Sequence, residues 1–133
     1  MQRFDKEEPM ATNIRVIHAQ DFIRANVEGH LDFDISKKLL IQIAEAAAPM
    51  PDYEIILDTR RSHSELSVTG LWYLAAELSS LGKTYYRKTA VLCPLENFDQ
   101  AEFFALCAQN RGLRIRAFTS YEDAMEWLLA SGP

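Results

Sequence analysis

The chain reads as an α/β protein built on a mixed, mostly parallel sheet of about five strands, with helices packed mainly on one face. Three observations predict this. Two short runs, Ile55-Ile56-Leu57 and Ala90-Val91-Leu92-Cys93, are apolar without interruption, as expected of strands buried on both faces. Segments of helical period alternate with them and supply the crossovers that parallel neighbours need. No proline- or glycine-rich linker, low-complexity run or internal repeat divides the 133 residues, about the length of one domain.

Residues 1–12 carry no period and include Pro9, so they are read as a flexible tail before one domain at 13–133. Residues 13–18 and 22–29 are strand-like, the second alternating Ile23, Ala25, Val27 and Gly29 against Phe22, Arg24, Asn26 and Glu28. The short link Ala19-Gln20-Asp21 makes them a hairpin. A helix follows over about 35–48, with Ile35, Leu39, Ile43 and Ala47 on one face, Asp34 or Ser36 as cap and Pro49 as its end. The spacing then predicts a strand over 53–57 and a helix over 69–81. In that helix Leu71, Leu74, Leu78 and Leu81 share a stripe, Ser67 or Thr69 caps the start, and Gly82 suits the exit. The polar residues from Asp58 onward are read as the loop between them.

After the polar segment 83–88 comes a strand over 90–93, stopped by Pro94. Asn97 or Asp99 starts a helix carrying Phe103, Phe104, Leu106 and Cys107, and Arg111-Gly112 gives it a cationic last turn and a glycine exit. Residues 113–118 alternate as a strand near an edge does. Thr119 and Ser120 stand at capping-box spacing before Glu122 and Asp123, opening a last helix that buries Ala124, Trp127 and Leu128 and ends at Ser131-Gly132-Pro133.

A net charge of −5 and a pI near 5.2 argue against a nucleic-acid binder, which needs a basic face. No run approaches the roughly 18 apolar residues of a membrane helix, and MQRFDKEEPM is too acidic for a signal peptide, so the expected location is the cytoplasm. Cys93 and Cys107 are too few and too far apart for a zinc or redox motif and are expected to be buried, reduced thiols. His18 and His30 can approach one another, but without matching carboxylate or cysteine spacing they predict neither a metal nor a cofactor.

Ligands of open α/β sheets gather beyond the carboxyl ends of the strands, which singles out Asp58, Thr59, Arg60, Arg61, Ser62 and His63. Arg60, Arg61 and His63 can bind an anion together with the free N–H groups near Ser67 and Gly70; alternatively, the arginines pair with Asp58, Glu65 or neighbours on a solvated loop. A hydrolytic set of Ser62, His63 and Asp58 lacks a nucleophile elbow and is packed too closely for triad geometry, so no enzyme is expected. Trp72 and Tyr73 are adjacent on one helix, whose stripe buries one and pushes the other to its margin. There it serves as core edge, interface or acyl pocket. Lys83, Arg87 and Lys88, beside Tyr85 and Tyr86, form a basic cluster that reads as a solvated face in so acidic a chain, although a membrane surface or an anionic ligand would use such a set.

The stretches GHLDFDISKKLL, EIILDTR and TAVLCPLENFDQAEFFALCAQNRGLRIRAFTSYEDAMEWL resemble the SpoIIAA-like family of bacterial proteins over about 22–129. The resemblance implies the fold of STAS domains, which anti-sigma-factor antagonists share, and a more distant relation to lipid-carrying CRAL-TRIO domains. In the antagonists the helix after the second buried strand begins Asp-Ser-Ser-Gly-Leu, and the serine before glycine is phosphorylated by a partner kinase. Matched at Gly70, the stretch here is Ser67-Val68-Thr69-Gly70-Leu71, which puts Thr69 in the phosphoacceptor place, with serine where the aspartate stands and valine for the first serine. The expected function is a non-enzymatic regulatory module that binds a protein partner or itself. The alternative is a carrier or sensor of a small apolar or anionic, lipid-like ligand, with the Arg60–His63 loop holding its head group and apolar side chains between helix and sheet its tail.

Overall fold

The uninterrupted apolar runs do lie at the centre of a sheet. The structure, a computed structural model that describes residues 13–19 and 22–130, contains strands β1 (Asn13–Ala19), β2 (Phe22–Leu31), β3 (Glu54–Ser64), β4 (Thr89–Leu92) and β5 (Ile115–Phe118). Between and after them come helices α1 (Phe33–Ala47), α2 (Val68–Leu78), α3 (Phe98–Gln109) and α4 (Tyr121–Leu129), with one-turn 3-10 helices at Thr84–Tyr86 and Leu95–Asn97. The sheet order is β1-β2-β3-β4-β5: β1 runs antiparallel to β2, and β2 to β5 run parallel. The expected tail at 1–12, the link residues Gln20 and Asp21, and the segment 131–133 lie outside the described residues.

Each parallel crossover steps one strand in the same direction, and right-handed crossovers then deposit their helices on the same face. Thus α1, α2 and α3 bury Leu39, Ile43, Leu71, Leu74, Phe104 and Ala108 against Ile23, Ala25, Val27, Ile55, Leu57 and Val91. Among the described residues, the opposite face receives α4 alone, whose Ala124 and Leu128 pack on Ile56, Ala90, Leu92 and Phe118. Ile55 and Leu57 therefore serve one core and Ile56 the other, which is why this run has no polar alternation. Toward β1, β2 and the far end of β3, no described residue beyond the sheet covers most of that second face.

Several boundaries differ from expectation for identifiable reasons. The cap of α1 is Asp32, whose side chain accepts from the Ile35 N–H at 2.9 Å, rather than Asp34 or Ser36; Ser36 is buried. Ser67 caps α2 by accepting from the Gly70 N–H at 3.0 Å, so that helix begins at Val68. It ends at Leu78, and Leu81 packs from the following turn, where Gly82 takes a φ of 76° that a side chain would strain. Asn97 precedes α3 without a side-chain capping bond, whereas Ser120 caps α4 through the Asp123 N–H.

The basic cluster before β4 is not a solvated face. Arg87 donates through one terminal nitrogen to the carbonyls of Met50 (2.8 Å) and Tyr53 (2.9 Å), tying the α1–β3 turn to the 3-10 helix. Lys88 is 3% exposed, and its Nζ donates to the carbonyls of Trp127 and Ala130 at the end of α4. Tyr85 is fully buried, with its hydroxyl donating to the Leu40 carbonyl at 2.6 Å; burial drives its pKa far above the usual phenol range. Lys83 and Tyr86 stay exposed. Cys93 is buried and Cys107 half-buried, both as free thiols, and burial followed by the charge of Glu96 pushes Cys93 up to about 11.

Candidate functional site

The largest departure from the sequence reading lies at Asp58–Ser64, which is strand and not loop. Beyond Leu57, β3 continues beside β2 and pairs Asn26 with Asp58, Glu28 with Arg61, Gly29 with Ser62, His30 with His63 and Leu31 with Ser64. The register shifts between Asn26 and Glu28, where Thr59 and Arg60 together face the single residue Val27, a β-bulge on β3. The extra residue interrupts the alternation of faces. Arg60 and Arg61, adjacent in sequence, consequently line the same open face.

That face carries a polar depression of about 460 Å³ lined by Arg15, Arg24, Asn26, Glu28, Asp58, Arg60 and Arg61, with Val27. Arg60 forks onto Asp58 through Nε (3.0 Å) and a terminal nitrogen (2.8 Å), and Arg24 reaches the same carboxylate at 3.3 Å. Burial pushes the Asp58 carboxyl upward, but the Arg60 side-chain and backbone hydrogen bonds and the charges of Arg60 and Arg24 outweigh it, leaving its pKa below the usual 3.8. Arg61 meets Glu28 at 3.5 Å. The arginines thus pair with carboxylates, as in the solvated alternative, Arg60 with Asp58 and Arg61 with Glu28 across the ladder.

His63 does not join them. It stands in register with His30, the two rings 6.3 Å apart, and each Nε2 lies 3.5 Å from a different oxygen of Glu65. His18 sits opposite Ile23, at the other end of β2 from His30, so those two histidines do not approach. Among the described residues no set of three or more His, Cys, Asp or Glu side chains is placed to hold a metal ion. A pairing of His30 with His63 was absent from the sequence reading. Its signal is the parallel match of Gly-His-Leu with Ser-His-Ser, visible only once β3 is extended past Asp58.

Alternation sends Thr59, Ser62 and Ser64 to the other face, under α1, α2 and α3. Thr59 Oγ1 donates to the Leu92 carbonyl, and Ser62 Oγ donates to the Thr59 carbonyl. Ser62 and His63 are thereby separated by the sheet, and a triad of Ser62, His63 and Asp58 cannot assemble. The same division corrects the single ligand with its head group on Arg60–His63 and its tail between helix and sheet. Arg60 and Arg61 lie across the sheet from α1, α2 and α3, and so do not share an anion with the first turn of α2.

Ser67, Thr69 and Gly70 occupy that first turn, where Ser67 and Gly70 are joined by the cap and Thr69 is exposed. The leucine stripe buries Leu71, Leu74 and Leu78, but both Trp72 (47% exposed) and Tyr73 (55%) are in solvent, rather than one of the two. Their rings meet edge to face at 5.1 Å, and the Arg111 guanidinium lies over Trp72 at 5.1 Å. Val68, 67% exposed, is one helical turn before Trp72.

No protein-family model matches the chain, and no curated protein matches it. Solved structures do. An uncharacterized protein of the DUF3478 family with a SpoIIAA-like fold, from Shewanella loihica, is 19% identical; the match covers 88% of this chain and 93% of that one, with a TM-score of 0.56. An anti-sigma factor antagonist from Mycobacterium paratuberculosis is 18% identical over 92% of this chain and 97% of that one, with a TM-score of 0.60. The strand order, the three helices on one face and these two likenesses agree: the chain has the SpoIIAA-like fold.

Proposed function

We propose that this chain is a non-enzymatic regulatory module that docks a protein partner on the first half of α2, with Thr69 as a site at which phosphate alters that docking. The observation that carries the reading is the exposure of Val68, Trp72 and Tyr73 on a helix whose opposite side is fully buried. Val68 with Trp72, and Thr69 with Tyr73, form two adjacent pairs at i,i+4 spacing. Arg111 and Tyr73 hold the Trp72 ring before any partner arrives, so little side-chain freedom is lost on docking. Phosphate on Thr69 would lie in the first turn of a helix, where its charge is favoured, and beside Tyr73, where it would change the chemistry of the contact. The likeness to an anti-sigma factor antagonist supports a protein of the anti-sigma-factor type as partner.

The test is titration of the purified chain against the anti-sigma-factor proteins of its own host, by calorimetry. Trp72→Ala should weaken the complex by more than about 2 kcal/mol, as expected of a central aromatic anchor. Thr69→Asp should weaken it too, with the circular dichroism of both variants unchanged. A complex indifferent to both substitutions, or none with any candidate, defeats the proposal. If Trp72→Ala instead dissociates a homodimer, the docked partner is a second copy.

A further inference from the structure

On the helix-covered face, at the carboxyl ends of β2, β3 and β4, lies a cavity of about 90 Å³. Its walls are mainly aliphatic and aromatic: Leu39 and Leu40 from α1, Leu71 and Leu74 from α2, Phe104 from α3, and Leu57 from the sheet. Two hydrogen-bonding atoms in this lining are buried without a partner, the hydroxyl of Ser36 and Oε1 of Gln100. Ser36 is only 4% exposed. Buried polar groups are ordinarily paired, and leaving them open is costly. Both belong to the one cavity, although they come from different helices, α1 and α3.

The lining also selects a charge. It contains no Asp, Glu, Lys, Arg or His, and the Cys93 thiol beside it is neutral near pH 7 because burial raises its pKa. The guanidiniums that could neutralise a head group are across the sheet. An ionised head group would therefore be desolvated here without a counter-charge, whereas a hydroxyl or a primary amide would meet Ser36 and Gln100. Water alone would answer those two groups but leave the leucine walls poorly matched, since apolar space tends to stay dry. We infer that the cavity is a binding site for a small neutral amphiphile, a hydroxyl- or primary-amide-bearing molecule with a short hydrocarbon body, whose polar end uses the hydrogen-bonding capacity left open by Ser36 and Gln100.

The site is independent of docking at α2 and is tested without any protein partner. The unaltered chain is titrated with 1-hexanol, hexanoate and cyclohexane, and methyl NMR follows Leu39, Leu71, Leu74 and Val91. Hexanol should shift these signals saturably, hexanoate at pH 7 should not, and cyclohexane should bind more weakly. The double variant Ser36→Ala with Gln100→Leu, which removes the two unpaired oxygens together with the Gln100 amide nitrogen, should weaken hexanol by about five- to ten-fold, the range one or two neutral hydrogen bonds supply. It should leave cyclohexane binding intact or improved. No saturable shift with hexanol would mean the cavity holds water only and would overturn the inference. Hexanoate binding as tightly as hexanol would overturn the neutral head group. Equal hexanol affinity in the double variant would overturn the role of Ser36 and Gln100; if that variant fails to fold, the ranking of the three probes on the unaltered chain decides.

Discussion

Arg60 and Arg61, at the far end of β3, point to the open sheet face and meet carboxylates, whereas Arg87 and Lys88, just before β4, turn inward and meet carbonyl oxygens. In the sequence both are adjacent cations flanking a buried strand. The difference comes from what surrounds them. Helices α1 and α4 have no basic residue in their last turns, so the carbonyls at and beyond their ends need a cation or donor from elsewhere. Arg87 supplies it beyond the end of α1, and Lys88 at the end of α4, with Lys88 also over the Trp127 ring at 5.5 Å. The helix end beside Arg60 is the first turn of α4, at Tyr121 and Glu122, which presents N–H groups rather than open carbonyls, and Arg60 and Arg61 spend their donors on Asp58 and Glu28.

If this contrast is correct, the two pairs should respond to mutation on different scales. Lys88→Met keeps the buried stem but strips the donors from Trp127 and Ala130. It should lower stability by about 2–3 kcal/mol, the scale of hydrogen bonds to a charged group. Urea unfolding would measure the loss, and amide exchange should show α4 opening before the rest. Arg87→Lys keeps the charge but cannot reach Thr84, Met50 and Tyr53 with one rigid fork, and about 1–2 kcal/mol should be lost. A loss under about 0.5 kcal/mol for either substitution would mean that water replaces these donors and that the inward pair resembles the outward one.

The fold was legible because its evidence is periodic. The runs at Ile55-Ile56-Leu57 and Ala90-Val91-Leu92 can only be strands with two cores, and the leucine spacing of α2 places one helix face correctly. The end of β3 was not legible because its polarity arises from a missing cover. Among the described residues only the first turn of α4 approaches that end of the second face, so Asp58, Arg60, Arg61 and His63 are polar, with Asp58, Arg61 and His63 in the ladder with β2 and Arg60 in the bulge. A polar run between a strand and a helix predicts a loop, and the bulge that places two arginines on one face leaves no mark in spacing. Trp72 and Tyr73 show the converse limit. Their helical position was clear, but the breadth of the buried stripe depends on how α3 meets α2, and that contact leaves both rings outside. Asp34 and Ser36 both suit a helix cap, but Asp32 takes that role, and the buried Ser36 hydroxyl becomes the most informative polar atom of the helix-covered face.

The outward pair provides the smaller effects, and one of them carries a definite pH signature. Because the folded Asp58 pKa lies below its ordinary 3.8, the stabilisation it contributes is fully present above that ordinary value. It is lost as pH falls through the lower folded value. Arg60→Ala should therefore cost up to about 1 kcal/mol at pH 7, and the gap from wild type should close below the folded pKa, where the carboxyl is protonated in both proteins. An NMR titration of the Asp58 carboxyl should also show its pKa rising in that variant, since burial persists after the side-chain hydrogen bonds and the charge are gone, with only the backbone N–H of residue 60 still donating to it. Arg61→Ala, which removes an 80% exposed side chain from a 3.5 Å contact with Glu28, should change stability by less than about 0.5 kcal/mol at any pH. Were Arg61→Ala to cost as much as Lys88→Met, the open face would be a structural element in its own right, and the distinction between cations that cap helices and cations that merely pair at a surface would fail for this protein.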